Sequence, residues 1–188
     1  GTESLGAGGR VGSPRWRSPP PVPFPYPCVC DVEATCERNG HYVHEIIEFP
    51  VVVVDLEAGR IVDEFHSYVR PTVNTTLSAF CTELTGITQD KVDAAPTLPE
   101  VLEAFEAWRS AKGWLEHTAE RTDFAFAADG PFDLRFFLHG ECARKGIAKR
   151  AYYDKWVNVK ALFADFYSVR SCKIHKMLAR QGLQFEGR

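Results

Sequence analysis

The sequence predicts an α/β fold, a mixed sheet with flanking helices, on three observations. A long β-branched run is followed at once by a turn and a second strand-like segment. An amphipathic helix then begins at a capping signature. Beyond it, strand and helix patterns alternate, as expected for helices laid on a sheet.

The elements follow in order. Residues 1–27 hold seven Pro and five Gly, so residues 1–26 read as a disordered tail and residues 27–188 as one folded domain. Cys28 to Glu33 is a short apolar strand ending in acid. Glu45 to Leu56 is continuous and β-branched, the pattern of a strand covered on both faces, and Pro50 within it suggests a bulge or an edge. After the turn at Glu57–Arg60, Ile61 to Val69 alternates, with Ile61, Phe65 and Val69 spaced for one face.

A short helix is expected over Leu77 to Leu84. Leu98, Val101, Leu102, Phe105 and Trp108 fall at helical spacing, and Thr97 with Glu100 forms a capping box before them. Thr122 to Ala128 reads as a strand, turning at Asp129-Gly130-Pro131 into a helix from Phe132 to about Lys145. Lys155 to Val159 is a further strand. Ala161 to Tyr167 and Lys173 to Gln181 are helices, the last ended by Gly182.

Composition narrows the function classes. With 45% hydrophobic residues, 188 residues suffice for one sizeable core. The net charge is −3: residues 1–27 carry +2, so the remainder carries −5, without the basic footprint usual in nucleic-acid binders. An acidic body also suits a carboxylate metal site, where bound ions neutralise phosphate. The six Cys show no CxxC or zinc spacing. Reduced thiols in an intracellular protein, cytoplasmic or nuclear, are expected. The longest aliphatic run, Val51 to Val54, is too short to cross a bilayer.

Chemistry concentrates at two places. Asp31-Val32-Glu33 puts two carboxylates on one face of a strand end, where α/β sheets bind ligands. Asp133 lies in the first turn of a helix after another strand, where the helix dipole alone would favour an acid. Asp129 reads first as an N-cap or turn residue. Converging on one point, Asp31, Glu33 and Asp133 would present the hard oxygen ligands that Mg²⁺ or Mn²⁺ require. Carboxylates around two such ions form the two-metal scheme of phosphodiester hydrolysis.

The segment Cys30-Asp31-Val32-Glu33-Ala34-Thr35-Cys36 resembles the first motif of the DEDD exonuclease superfamily, which includes RNase T-like and proofreading-type enzymes. Further segments resemble, in order and spacing, its histone-mRNA 3′-end and RNA-interference exoribonuclease branch. They begin at His44-Glu45-Ile46-Ile47, Tyr68-Val69-Arg70-Pro71, Leu84-Thr85-Gly86-Ile87, Asp129-Gly130-Pro131, Lys155-Trp156-Val157-Asn158 and Leu183.

The resemblance implies a ribonuclease H-like fold and a 3′→5′ exoribonuclease acting on the 3′ end of single-stranded RNA. Asp31, Glu33 and Asp133 would bind two Mg²⁺ or Mn²⁺ ions and be catalytic. Ala34 and Thr35 would approach the terminal nucleotide. Phe80, Leu84, Thr85 and Phe132 would line its pocket, although core packing explains Phe and Leu residues equally well. No membrane is implied.

The family continues past a Glu-Gly-Arg such as Glu186-Gly187-Arg188 with a catalytic His and, five residues later, a fourth Asp. No His here matches that place. With Gly1 at the start and Met177 the sole Met, an incomplete chain, inactive or nearly so by itself, is expected. A DNA exonuclease of the same superfamily, a non-catalytic RNA-binding relative and a site-less α/β protein are the alternatives.

Overall fold

The computed structural model describes residues 24–38, 42–118 and 121–185. Strand β1, Tyr26–Cys30, lies at the centre of the sheet. It pairs antiparallel with β3, Ile46–Asp55, and parallel with β5, Phe124–Ala128. Beyond β5, strand β6, Trp156–Asn158, adds in parallel. On the far side of β3, strand β4, Arg60–Tyr68, completes the hairpin. A two-residue strand, β2, Glu33–Ala34, pairs with the start of β3. The sheet is therefore mixed, as the sequence predicts.

Two strand expectations are corrected. Pro50 is neither at a sheet edge nor in a bulge, because β3 is paired on both sides and Pro50 lies opposite His66. On its other side it falls opposite the break between β1 and β2, at Asp31 and Val32. A residue with no N–H to donate is tolerated where the neighbouring strand is interrupted. The second correction is Ile61, which is 63% exposed and does not share the buried face of Val69. Val53 pairs with Asp63 but Val54 with Ile61, so a bulge at Val62 inverts the alternation. Val62 packs against the core in its place.

Helix α1, Ala79–Thr85, and the short α2, Gln89–Asp93, sit over a small cluster of Ile47, Cys81, Ile87 and Val92. Helix α3, Leu98–Lys112, starts as expected: the Glu100 carboxylate accepts from the Thr97 N–H at 2.7 Å and its hydroxyl at 2.6 Å. Its Phe105 meets Phe49 of β3 at 5.9 Å between ring centroids. Cys28, Val51, Val53, Phe124 and Phe126 complete that core.

After β5 the chain turns into π-helical geometry at Phe132–His139, then continues into α4, Gly140–Lys145. The Phe136 N–H donates to Pro131 O, five residues back, at 3.2 Å. The expected single helix therefore has a widened first half, a feature often found at functional sites. A 3₁₀ turn, Ala151–Asp154, precedes β6. Helices α5, Val159–Tyr167, and α6, Ile174–Arg180, follow, and Gly182 ends the last with φ +71°. All six cysteines are free thiols. Residues 1–23 of the expected tail, and Glu186 to Arg188, lie outside the described residues.

Candidate active site

Parallel pairing of β1 with β5 decides where the acids meet. Val29 is level with Ala127, so Asp31 and Asp129 leave neighbouring strands at the same edge of the sheet. The turn after β5 is held by Trp156, whose Nε1–H donates to Gly130 O at 3.0 Å. Asp133 then projects back toward β1, and its Oδ1 accepts from the Val32 N–H at 3.1 Å. A buried aspartate is thus fastened to the backbone between Asp31 and Glu33.

The electrostatics agree that the three carboxyls share one place. Burial and then the charge of Asp31 push Asp133 up to about 6. Burial, then Asp31, Glu48 and Asp133, push Glu33 up to about 7. Asp31 keeps an exposed tip, yet partial desolvation and Asp129 raise it, while a hydrogen bond with Asp133 opposes the rise. The charges acting most strongly on these groups are all carboxylates. Such a set is offset only by water or by a cation.

The donor set is hard oxygen and suits a divalent cation of the Mg²⁺ or Ca²⁺ type better than a soft metal. Among the described residues, no three His, Cys, Asp or Glu side chains are already gathered at metal-ligand spacing.

Glu48 escaped the sequence reading. It is the Cα partner of Glu33 across the β2–β3 ladder, and its Oε1 lies 2.7 Å from His66 Nε2. One signal was available: a lone acid inside an otherwise apolar strand. Asp129 pairs with Lys160 at 2.7 Å. The other described histidines are engaged elsewhere or exposed. His44 Nδ1 contacts Thr35 O at 2.6 Å, His139 contacts Asp154, His117 packs against Phe124, and His175 is exposed on α6. His41 lies outside the described residues.

Next to the acids, Ala34 and Thr35 are buried, and the Thr35 hydroxyl accepts from the Glu45 N–H at 2.9 Å. Helix α1 is tied to this loop because Ser78 Oγ, its N-cap, donates to Cys36 O at 2.9 Å. That helix carries Phe80, half-buried beneath the Arg38 guanidinium at 5.1 Å, and Leu84, 61% exposed. The Thr85 hydroxyl donates to Cys81 O within α1. Phe132 is 61% exposed, its ring 5.3 Å from that of Phe136. Leu84 and Phe132 are large apolar side chains left in solvent, so core packing does not account for them.

Known proteins resemble this sequence and fold. The RNase T exonuclease family model matches residues 28–188. The 3′-5′ exoribonuclease 1 of Homo sapiens is 38% identical over 88% of this chain and 47% of its own length. The nuclease domain of 3′hExo, a DEDDh family member bound to rAMP, superposes with a TM-score of 0.80 at 38% identity, covering 88% of this chain and 82% of that one. A structure of 3′-exonuclease recognising the 3′ end of the histone mRNA stem-loop also gives 0.80 and 38%, over 88% of this chain and 57% of that one. The chain spans about half the length of the human relative.

Proposed function

The chain belongs to the RNase T exonuclease family, in the branch of the 3′-5′ exoribonucleases, and on that premise we propose that it carries the nuclease core of a 3′→5′ exoribonuclease. One observation carries the reading: the Asp133 carboxylate is hydrogen-bonded to the Val32 N–H between Asp31 and Glu33, with no basic residue among the strongest charges acting on the three acids. The family depends on divalent metal ions, and the hard carboxylate oxygens of Asp31, Glu33 and Asp133 would suit two Mg²⁺ or Mn²⁺ ions. When bound, they supply a water of lowered pKa and stabilise charge on the leaving 3′ oxygen.

The chain's own residues do the rest. Asp31 follows β1 and Glu33 opens β2, while Asp133 is fixed to the Val32 N–H between them. Phe80, Leu84, Thr85 and Phe132 take the terminal base and sugar, over a floor shaped by Ala34 and Thr35. Stacking on aromatic and aliphatic surfaces accepts any base, which suits an enzyme that removes whichever nucleotide comes next. The substrate is the 3′ end of single-stranded RNA, within one domain over residues 27–188.

The test is degradation of 5′-labelled oligoribonucleotide and oligodeoxyribonucleotide, each with and without divalent metal. In a protein that extends through the family's catalytic His and fourth Asp, stepwise shortening of RNA from the 3′ end, dependent on metal and abolished in the double variant D31N/E33Q, is the expected result, whereas residues 1–188 alone should be inactive or nearly so. Turnover retained by that variant would mean the wrong carboxylates. Preference for the deoxy strand would move the assignment to DNA.

A further inference from the structure

Charge is divided sharply along the chain. Residues 28–133 carry seven Lys and Arg against twenty Asp and Glu, a net of −13, whereas residues 134–188 carry twelve against four, a net of +8. Between Lys155 and Phe185, six basic residues face a single acid, Asp165. Folding places this stretch on β6, α5 and α6, a surface layer: α5 buries no side chain and α6 only Met177. Lys155, Arg170, Lys173, Lys176 and Arg180 are all exposed. Lys176 and Arg180 stand four apart on one side of α6, and Lys173 caps its start.

This layer begins at the carboxylate centre. Lys160, in the first turn of α5, pairs at 2.7 Å with Asp129, whose charge bears on Asp31 and Asp133. Its far end is closed by the Arg180 guanidinium, 4.6 Å from the centre of the Tyr167 ring, and by Gln181 Nε2 donating to the Tyr167 hydroxyl at 2.7 Å. Phe166, 48% exposed, adds an aromatic face. Exposed cations interleaved with aromatic rings are the composition that tracks a single-stranded backbone.

We infer that the exposed α5–α6 surface binds the phosphate backbone of single-stranded RNA upstream of the 3′ end. This rests on the reading that the terminal nucleotide sits at Asp31, Glu33 and Asp133. The acidic body repels a polyanion, and ions at the carboxylates neutralise only the phosphates they touch. Attraction for the rest of the strand has to come from elsewhere, and α5–α6 is the basic surface that starts beside the scissile position. The Lys160–Asp129 link to the carboxylates favours a polymer threading to that point over a lipid surface.

The experiment compares the protein with its triple variant R170Q/K173Q/K176Q by fluorescence anisotropy in EDTA, where turnover is absent. The probes are 5′-labelled oligoribonucleotides of about 20 and about four nucleotides, spanning long and minimal strand lengths. Salt is varied between about 50 and 200 mM, and each phosphate that the protein no longer neutralises lowers the slope of log affinity against log salt by about 0.7. The variant is expected to lower the slope for the long strand by about 2 and to weaken it tenfold or more at low salt, leaving the short one unchanged. Restoring charge as K173R/K176R, with Arg170 native, should restore both.

An unchanged slope and affinity for the long strand overturns the inference. So does a variant that no longer binds phosphatidylserine vesicles while holding RNA normally. RNA hydrolysis with an unchanged slope would leave the proposed activity standing without this surface. A lowered slope in a protein that hydrolyses no RNA would do the reverse.

Discussion

Glu45 and Asp133 are both buried carboxylates beside the same sheet, and the fold treats them in opposite ways. Burial alone would raise Glu45. The Asn74 N–H, the Lys145 ammonium and the Thr72 and Val73 N–H groups outweigh it and hold the carboxyl down at about 2. The Asn74 and Lys145 hydrogen bonds are both 2.5 Å, and Lys145 also serves Glu141 at 2.6 Å. Glu141 in turn accepts from the Ile46 N–H at 2.6 Å, pinning α4 to the start of β3. Asp133 has two backbone donors, the Val32 N–H and its own, and faces other acids, so burial and repulsion leave it high. Every oxygen of the first pair is answered within the chain, which makes it an anchor. The second set keeps oxygens turned toward like charge, which costs stability and is kept where a ligand must bring the opposite charge.

That contrast can be broken first at the anchor. Lys145→Met leaves Glu45 and Glu141 buried, 0% and 1% exposed, without their counter-charge. Removing one partner of such a network costs about 3–5 kcal/mol, read as a drop in the midpoint of urea unfolding. A midpoint unchanged within error would show that the backbone donors suffice.

Next in size is the response to metal. At a concentration about 100 times its dissociation constant, a divalent ion adds about 2.7 kcal/mol to the folded state. Melting temperature should rise with Mg²⁺ or Mn²⁺ in the native protein and stay flat in D31N/E33Q. An equal rise in both would place the ion elsewhere.

Smaller still is the effect of D31N/E33Q on the metal-free fold. Because like charges are removed, stability in EDTA should hold or rise by less than about 1 kcal/mol. A clear drop would make these acids structural like Glu45.

In pH the two sites predict opposite signs. Glu45 is depressed from 4.5 to about 2, so its contribution is complete above 4.5 and disappears as pH falls toward 2. Glu33 is raised from 4.5 to about 7, so the folded metal-free protein holds a proton that the unfolded chain releases. Its share of stability therefore declines as pH climbs from 4.5 to 7. Thermal melts in EDTA across that range should show a smaller decline in Glu33→Gln than in the native protein, because the raised Asp133 keeps its own share.

Local patterns announced much of this architecture. The Thr97–Glu100 start of α3, the Gly182 stop after α6 and the β3–β4 hairpin each depend on neighbours in sequence, and each is where expected. The pair Asp31 and Glu33 was visible because a strand repeats its face every two residues. Other features have no local signal. The Val62 bulge, the separation of β2 from β1 and the widened turns at Phe132–His139 arise from pairing and packing with distant segments. The Glu45 anchor joins residues 100 positions apart through Lys145, and nothing near Glu45 in sequence foretells it.

The sequence by itself determined which segments become strands and helices and which acids end them, because propensity and periodicity act over a few residues. Only tertiary structure decided which of those acids are neutralised and which are left facing one another. Charge compensation depends on distances across the sheet, and pairing β1 beside β5 is what brings Asp133 to Asp31 and Glu33 while Lys145 is spent on Glu45.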